Sequence, residues 1–334
     1  MKIANRAGTA AFVVVLSTLA VAAHAQQLIY TSSQDSGIIG RVTNTGTALS
    51  PLASGGNYGG GITRDASGNV LFVESNSNFS VTNIRRVTPG GVDLGNFASN
   101  TGFFGKMTFA ANGQLYAQRF DQSASLRGIH RFGADGSDQG YFITGNNLPL
   151  IADGFGGQTR GYVDSFMFAS DNSVYVAYDN NAGTTNTGAI RHFSAAGADL
   201  GDFATGINTP DGIALDSVGN VYVSQFRSGN VVRYSPGGTP LGVFATTGGQ
   251  PDSLGFDQSG NLFVSGLGYG SSGIREYSPN GTFVQSVTGT GSSVRNFTFG
   301  SAVVAVPEAD TLALLLPALS LAGASAVRRA RKPA

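Results

Sequence analysis

Pro210-Asp-Gly-Ile-Ala-Leu-Asp216-Ser-Val-Gly219-Asn220-Val-Tyr-Val223 is the stretch on which the fold turns. Two short runs of β-branched, aromatic and aliphatic residues flank Asp-x-x-Gly, a pattern that predicts strand, tight turn, strand. The Asp carboxylate can accept backbone N–H groups in such a turn, and glycine takes its positive-φ position. The same block stands at Asp65-Ala-Ser-Gly68-Asn69-Val-Leu-Phe-Val and at Asp257-Gln-Ser-Gly260-Asn261-Leu-Phe-Val. Weaker copies are Ala111-Asn112-Gly113-Gln114-Leu-Tyr and Ser170-Asp171-Asn172-Ser173-Val-Tyr-Val. A second block follows each copy, as in Ile84-Arg-Arg-Val-Thr-Pro-Gly-Gly and Val231-Val-Arg-Tyr-Ser-Pro-Gly-Gly. A third closes most units: Leu94-Gly-Asn-Phe-Ala, Leu200-Gly-Asp-Phe-Ala, Leu241-Gly-Val-Phe-Ala.

Each unit therefore holds four short strands joined by turns. Its third-strand marker falls at 41, 86, 131, 192, 233 and 276, in steps of 45, 45, 61, 41 and 43 residues. A four-stranded repeat of about 40–45 residues is a propeller blade. The long step places an insertion near Gly145 to Val163. Leu28-Ile-Tyr-Thr matches the second strand of a blade, and Phe297-Thr-Phe-Gly300 matches a first strand. The fold class is thus all-β, a six-bladed propeller of four-stranded blades. Its C-terminal strand should complete the N-terminal blade and remove the exposed sheet edge.

The missing residue types narrow the chemistry. The 334 residues include 49 Gly, no Cys and no Trp. That excludes a disulfide scaffold, a thiolate zinc site and a cysteine nucleophile. The absence of Trp argues against WD40 repeats. No Gly-x-Ser-x-Gly elbow and no phosphate-binding glycine loop occurs. Between residues 26 and 306 there are 14 basic and 18 acidic residues, a net charge of −4, which argues against a nucleic-acid partner. The Pro-Asp-Gly-Ile-Ala-Leu-Asp-x-x-Gly-Asn-Val-Tyr-Val pattern resembles NHL-type propellers and the gluconolactonase/regucalcin-like superfamily. That resemblance covers most of residues 28–300 and implies the propeller fold.

Both ends read as targeting signals. Lys2 and Arg6, the apolar run Ala10 to Ala23 and the small-x-small site Ala23-His24-Ala25 make residues 1–25 a secretory signal peptide. The body then spans 26–301, followed by a linker at 302–310. Residues 311–334 comprise an apolar helix from Thr311 to Val327 and a basic stop of Arg328, Arg329, Arg331 and Lys332. By the positive-inside rule that tail stays cytoplasmic and the body lies outside. With Val306-Pro307-Glu308 ahead of the helix, residues 306–334 resemble the PEP-CTERM sorting signal, also known as the ice-binding-protein C-terminal module. One departure is Ala309, where that signal usually carries a second Pro. The resemblance implies a Gram-negative source, signal peptidase and exosortase as processing partners, and a role tied to exopolysaccharide and biofilm.

Asp164, Asp211 and Asp252 hold one repeat position, just before the innermost strands, at the mouth of the central channel. Three converging carboxylates could hold Ca²⁺. In the gluconolactonase-like family a channel metal polarises a lactone or ester. The other blades carry Gly60, Gly105 and Arg295 in that column, and aspartates capping a turn explain the pattern as well. Apart from that possible Ca²⁺, no cofactor is expected. His130 and His192 lie on third strands one position out of register and read as separate surface or inter-blade residues. The third-strand arginines read as snorkelling or pairing with acids of the next blade. The reading favours a non-catalytic binding or matrix protein over a metal-dependent lactonase or lyase.

The sorting reading has a direct test. Pro307 biases its predecessor to extended backbone, and Glu308 and Asp310 resist entry into hydrocarbon, so the motif stays at the outer interface. In a host with an exosortase, the wild-type chain is expected to lose Arg328–Ala334, and Glu308→Ala to keep it. Mass spectrometry of the C-terminal peptide reads the outcome; retention in both chains means plain tail anchoring.

Overall fold

The computed structural model describes residues 26–303, apart from 34–36, 55–59, 76–81, 100–102, 121–126, 153–157, 180–187, 270–272 and 291–292. Residues 26–303 form one compact unit. The signal residues Ala23 and Ala25, the sorting motif Val306 to Glu308 and the basic stop Arg328, Arg329, Arg331 and Lys332 lie outside the described residues. No helix among the described residues is long and apolar enough to cross a membrane.

Six four-stranded antiparallel sheets are present among the described residues, and they are the six expected blades. From the channel outward, blade 1 is Val294–Val303, Gln26–Ser33, Ile38–Thr43 and Ala48–Ser54. Blade 2 is Ile62–Arg64, Val70–Ser75, Thr82–Val87 and Asp93–Ala98. Blade 3 is Phe103–Phe109, Leu115–Phe120, Gly128–Phe132 and Asp138–Thr144. Blade 4 is Tyr162–Phe168, Val174–Asp179, Gly188–Phe193 and Asp199–Ile207. Blade 5 is Pro210–Leu215, Val221–Gln225, Asn230–Tyr234 and Pro240–Thr246. Blade 6 is Gln250–Phe256, Leu262–Leu267, Ile274–Tyr277 and Phe283–Val287. The long third step holds a 3₁₀ turn at Gly145–Asn147 and a hairpin of Leu150–Ala152 with Gln158–Arg160.

The ring closes as the repeat phase requires. Ile29 pairs with Phe299, Tyr30 with Thr298 and Thr31 with Phe297. The closing strand runs to Val303, two residues beyond the end expected at 301. The same aspartates that mark the repeat build its turns. Asp216 Oδ1 accepts the N–H groups of Val218 (3.0 Å) and Asn220 (2.9 Å), and Oδ2 accepts Asn220 Nδ2 at 2.7 Å. Asp65 and Asp257 hold Asn69 and Asn261 in the same way.

Among the described residues the core consists of six apolar clusters, one at each blade–blade contact. Leu71, Val73 and Ile84 of blade 2 meet Phe104, Leu115 and Phe132 of blade 3. Ile29 and Val42 of blade 1 meet Phe263, Ile274 and Val287 of blade 6, which seals the ring. Second strands are consequently buried on both faces, as in Val174–Asp179, and their sequence is a continuous apolar run. Of the third-strand arginines, Arg86 lies over Phe97 and Arg233 over Tyr222 and Phe244, in keeping with snorkelling, while Arg85 and Arg191 depart from the expected pairing with the next blade. Arg85 pairs with Glu74 and Asp93, and Arg191 with Asp199 and Asp202, all within their own blades. Only blade geometry decides this, because second and outermost strands flank the third.

The hairpin glycines do more than turn the chain. Gly281 of blade 6 has φ +84, and a Cβ there would overlap the carbonyl oxygen of Phe244 in blade 5. Gly136 meets the Phe97 carbonyl of blade 2 likewise. The hairpin glycines Gly136, Gly238 and Gly281 thus dock on Phe97, Phe203 and Phe244, each the Phe of the Leu-Gly-x-Phe-Ala block in the blade before. Gly242 also has a positive φ, +89, but open space around its Cβ position. Left-handed backbone alone costs a non-glycine residue about 1–2 kcal/mol. Gly242→Ala should lose that much in urea unfolding, and Gly281→Ala clearly more, since its Cβ must push two blades apart.

Candidate functional site

The innermost strands carry a β-bulge at one level of the channel. Register shifts fall between Phe104 and Met107, Val163 and Ser165, Pro210 and Ile213, and Pro251 and Leu254. In blade 1 the ladder skips Arg295. A bulge frees backbone groups from the ladder and re-aims a side chain, and here it does both. Second-strand residues satisfy the freed groups. Ser224 Oγ accepts Gly212 N–H at 2.6 Å and donates to the Asp252 carbonyl of the next blade at 3.2 Å. Ser265 Oγ accepts Ser253 N–H and donates to the Arg295 carbonyl at 3.1 Å. Gln118 accepts Lys106 N–H at 3.0 Å and donates to the Val163 carbonyl.

The re-aimed side chains are charged. Asp164, Asp211 and Asp252 occupy the bulges of blades 4, 5 and 6, inside the innermost strands rather than just before them as expected. Blade 3 supplies Lys106, which crosses to blades 5 and 6. Its Nζ lies 2.9 Å from Asp211 Oδ1, 3.1 Å from Asp252 Oδ1, 3.0 Å from the Asp211 carbonyl and 3.2 Å from the Asp252 carbonyl. Arg295 donates to Asp252 Oδ2 at 3.0 Å. Asp252 is buried, with a side chain only 5% exposed. Asp164 stands beside Asp211 and Asp179, and its Oδ2 has no hydrogen-bond partner among the described residues. Beside this level the innermost strands line a cavity of about 250 Å³, with Lys106, Thr63, Thr108, Ser253 and Asn296 among Phe166 and Phe297.

The electrostatics follow from crowding. Burial opposes the Lys106 charge, but the Asp211 and Asp252 carboxylates outweigh it and raise its pKa. Burial, then the Asp252 carboxylate, push Asp211 up to about 7 against the pull of Lys106. Burial, then Asp179 and Asp211, hold Asp164 well above the carboxylate range.

The three carboxylates expected to hold Ca²⁺ divide between two tasks. Asp211 and Asp252 hold an ammonium, and Asp164 is left beside them. Calcium takes six to eight oxygens at about 2.3–2.6 Å, and Nζ occupies the centre of the oxygen set. Among the described residues no group of three or more Asp, Glu or His side chains is placed to hold a metal. With Lys106 in place, the residues do not fit a channel cation. Sequence reasoning missed Lys106, although one signal was available: it is the only lysine between residues 26 and 306.

The histidines are far from this level. His130 is buried rather than at the surface, its ring nitrogens 3.2 Å from Asp138 and Arg119 of its own blade. Arginine only donates, so His130 Nε2 accepts and Nδ1–H faces Asp138. Burial lowers the His130 pKa. His192 stacks on Tyr175 with ring centroids 4.3 Å apart.

Comparison with known proteins agrees with the fold. A family model described as the SMP-30/Gluconolactonase/LRE-like region matches residues 159–247, which include Asp164 and Asp211. A chain from a nidogen/laminin complex is similar at a TM-score of 0.63 and 12% identity, covering 84% of this chain and 100% of that one. A gluconolactonase from Xanthomonas campestris is similar at 0.54 and 15%, covering 80% and 87%. A calcium-binding regucalcin from Agrobacterium tumefaciens is similar at 0.50 and 17%, covering 74% and 77%. At such identities the shared property is the propeller fold. No curated protein matches by sequence.

Asp164 offers a test of the electrostatics. A carboxyl whose folded pKa is raised binds its proton more tightly folded than unfolded, so its contribution to stability falls as pH rises from about 4. Asparagine cannot titrate. As pH rises above the ordinary carboxylate range, Asp164→Asn should therefore gain stability on the wild type in urea unfolding, and the gain should grow with pH. A difference that stays constant as pH rises means Asp164 ionises normally.

Proposed function

We propose that this chain is an exported β-propeller, sorted to the envelope or outer surface of a Gram-negative cell, that acts there as a non-catalytic, exopolysaccharide-associated binding protein. The observation that carries the reading is Lys106. Its ammonium is saturated by four oxygens of Asp211 and Asp252, and Arg295 takes the remaining Asp252 oxygen. The Asp211 and Asp252 carboxylates are thereby engaged in holding blades 3, 5, 6 and 1 together, and are withdrawn from metal-assisted chemistry. The polar and aromatic cavity beside them, which Lys106 also lines, suits a small polar group. Export and sorting rest on the terminal signals, with signal peptidase and exosortase as processing partners.

A metal-dependent lactonase or lyase is the second reading. The family match across residues 159–247 favours it, because blades 4 and 5 contribute Asp164 and Asp211. It requires Lys106 to leave the carboxylates.

Two assays on the purified protein separate the readings. An array of bacterial polysaccharides is expected to show selective, saturable retention of one class. Glucono-δ-lactone, offered with Ca²⁺ or Zn²⁺, is expected to hydrolyse at its spontaneous rate. Metal-dependent acceleration that Asp211→Asn removes would instead establish the lactonase reading.

A further inference from the structure

We propose that Lys106 is a built-in cation seated in a divalent-cation site, and that removing its side chain converts the propeller into a Ca²⁺-binding protein. The inference goes beyond the binding role above and does not depend on it.

The oxygen set carries the first part. Two carboxylate oxygens and two backbone carbonyls surround Nζ within 2.9–3.2 Å. A surface lysine typically meets one carboxylate and water. Mixed carboxylate and carbonyl oxygens are instead the donor set of a hard cation such as Ca²⁺. Zinc prefers nitrogen and sulfur donors in a tetrahedron, and none is present here. An ammonium has three hydrogens for four acceptors, so one must be shared.

The placement carries the second. Both carbonyls belong to bulged residues, Asp211 and Asp252, whose strands have left the regular ladder there. That is why they turn inward, and the bulges stand whatever fills the space between them, since Ser224 and Ser265 hold their N–H groups. Lys106 reaches this cradle from blade 3, past blade 4, and ties non-adjacent blades across the channel. A bound cation would do the same from the centre.

Charge carries the third. A divalent ion cannot share the cradle with an ammonium about 3 Å from each oxygen. Without Lys106, the carboxylates of Asp211 and Asp252 would face each other with Arg295 alone to offset them. The four protein oxygens around Nζ, with water, complete a calcium shell.

The test uses the purified full-length chain, stripped with EDTA and titrated with CaCl₂, read by thermal unfolding and calorimetry. Wild type is expected to bind no Ca²⁺ and to keep its melting temperature. Lys106→Ala should melt lower in EDTA and rise by about 5 °C once Ca²⁺ exceeds its Kd about 100-fold. Adding Asp252→Asn to Lys106→Ala should remove that response. Calcium binding by the wild type at the Asp211–Asp252 level, or a folded Lys106→Ala that ignores Ca²⁺, overturns the proposal. If Lys106→Ala does not fold even with Ca²⁺, Lys106→Gln carries the test: its neutral amide must yield to Ca²⁺ with a rise in melting temperature, and no rise overturns the proposal.

Discussion

Face-to-face burial of neighbouring blades is the constraint on which this molecule depends. No blade has a core of its own. Each buries one face on the blade before it and the other on the blade after it, so the apolar clusters lie between sheets. Such an arrangement is satisfied only when the ring is complete, because an open ring leaves two apolar faces and a sheet edge in water. The pairing of Val294–Val303 with Gln26–Ser33 is therefore more than a strand contact: it allows the sixth interface, around Ile29, Phe263 and Val287, to exist. The repeat's small residues serve the same end. Where a hairpin meets the preceding blade's outer strand, glycine supplies both the positive φ and the missing Cβ.

Convergence of the innermost strands then creates the polar level of the channel. Bulges there unpair backbone groups in a place with little water, and an unpaired buried group is costly. The second-strand hydroxyls and Gln118 answer that locally, each bonding its own bulge and the next blade's carbonyl. The charges need each other in the same way. A buried carboxylate such as Asp252 would be strongly destabilising alone, and it persists because Lys106 and Arg295 both reach it. The level is thus a strut as much as a site. The least accommodated charge is that of Asp164, whose pKa is raised by burial and then by the Asp179 and Asp211 carboxylates.

The propeller was legible in the sequence because each repeat reports local chemistry. Asp-x-x-Gly-Asn specifies its turn within five residues, and the structure shows the capping bonds at Asp65, Asp216 and Asp257. Blade count and closure followed from the phase of Leu28-Ile-Tyr-Thr and Phe297-Thr-Phe-Gly, since alternation and spacing survive in one dimension. The shared column of Asp164, Asp211 and Asp252 was legible for the same reason. Tertiary structure alone decided what those carboxylates hold. Lys106 sits 105 residues from Asp211 and 146 from Asp252, and no periodicity links them. It also lies one position past its blade's column residue, Gly105, so aligning the repeats passes over it. Only ring closure, which carries a four-carbon side chain across the channel, brings that ammonium between two acids of other blades.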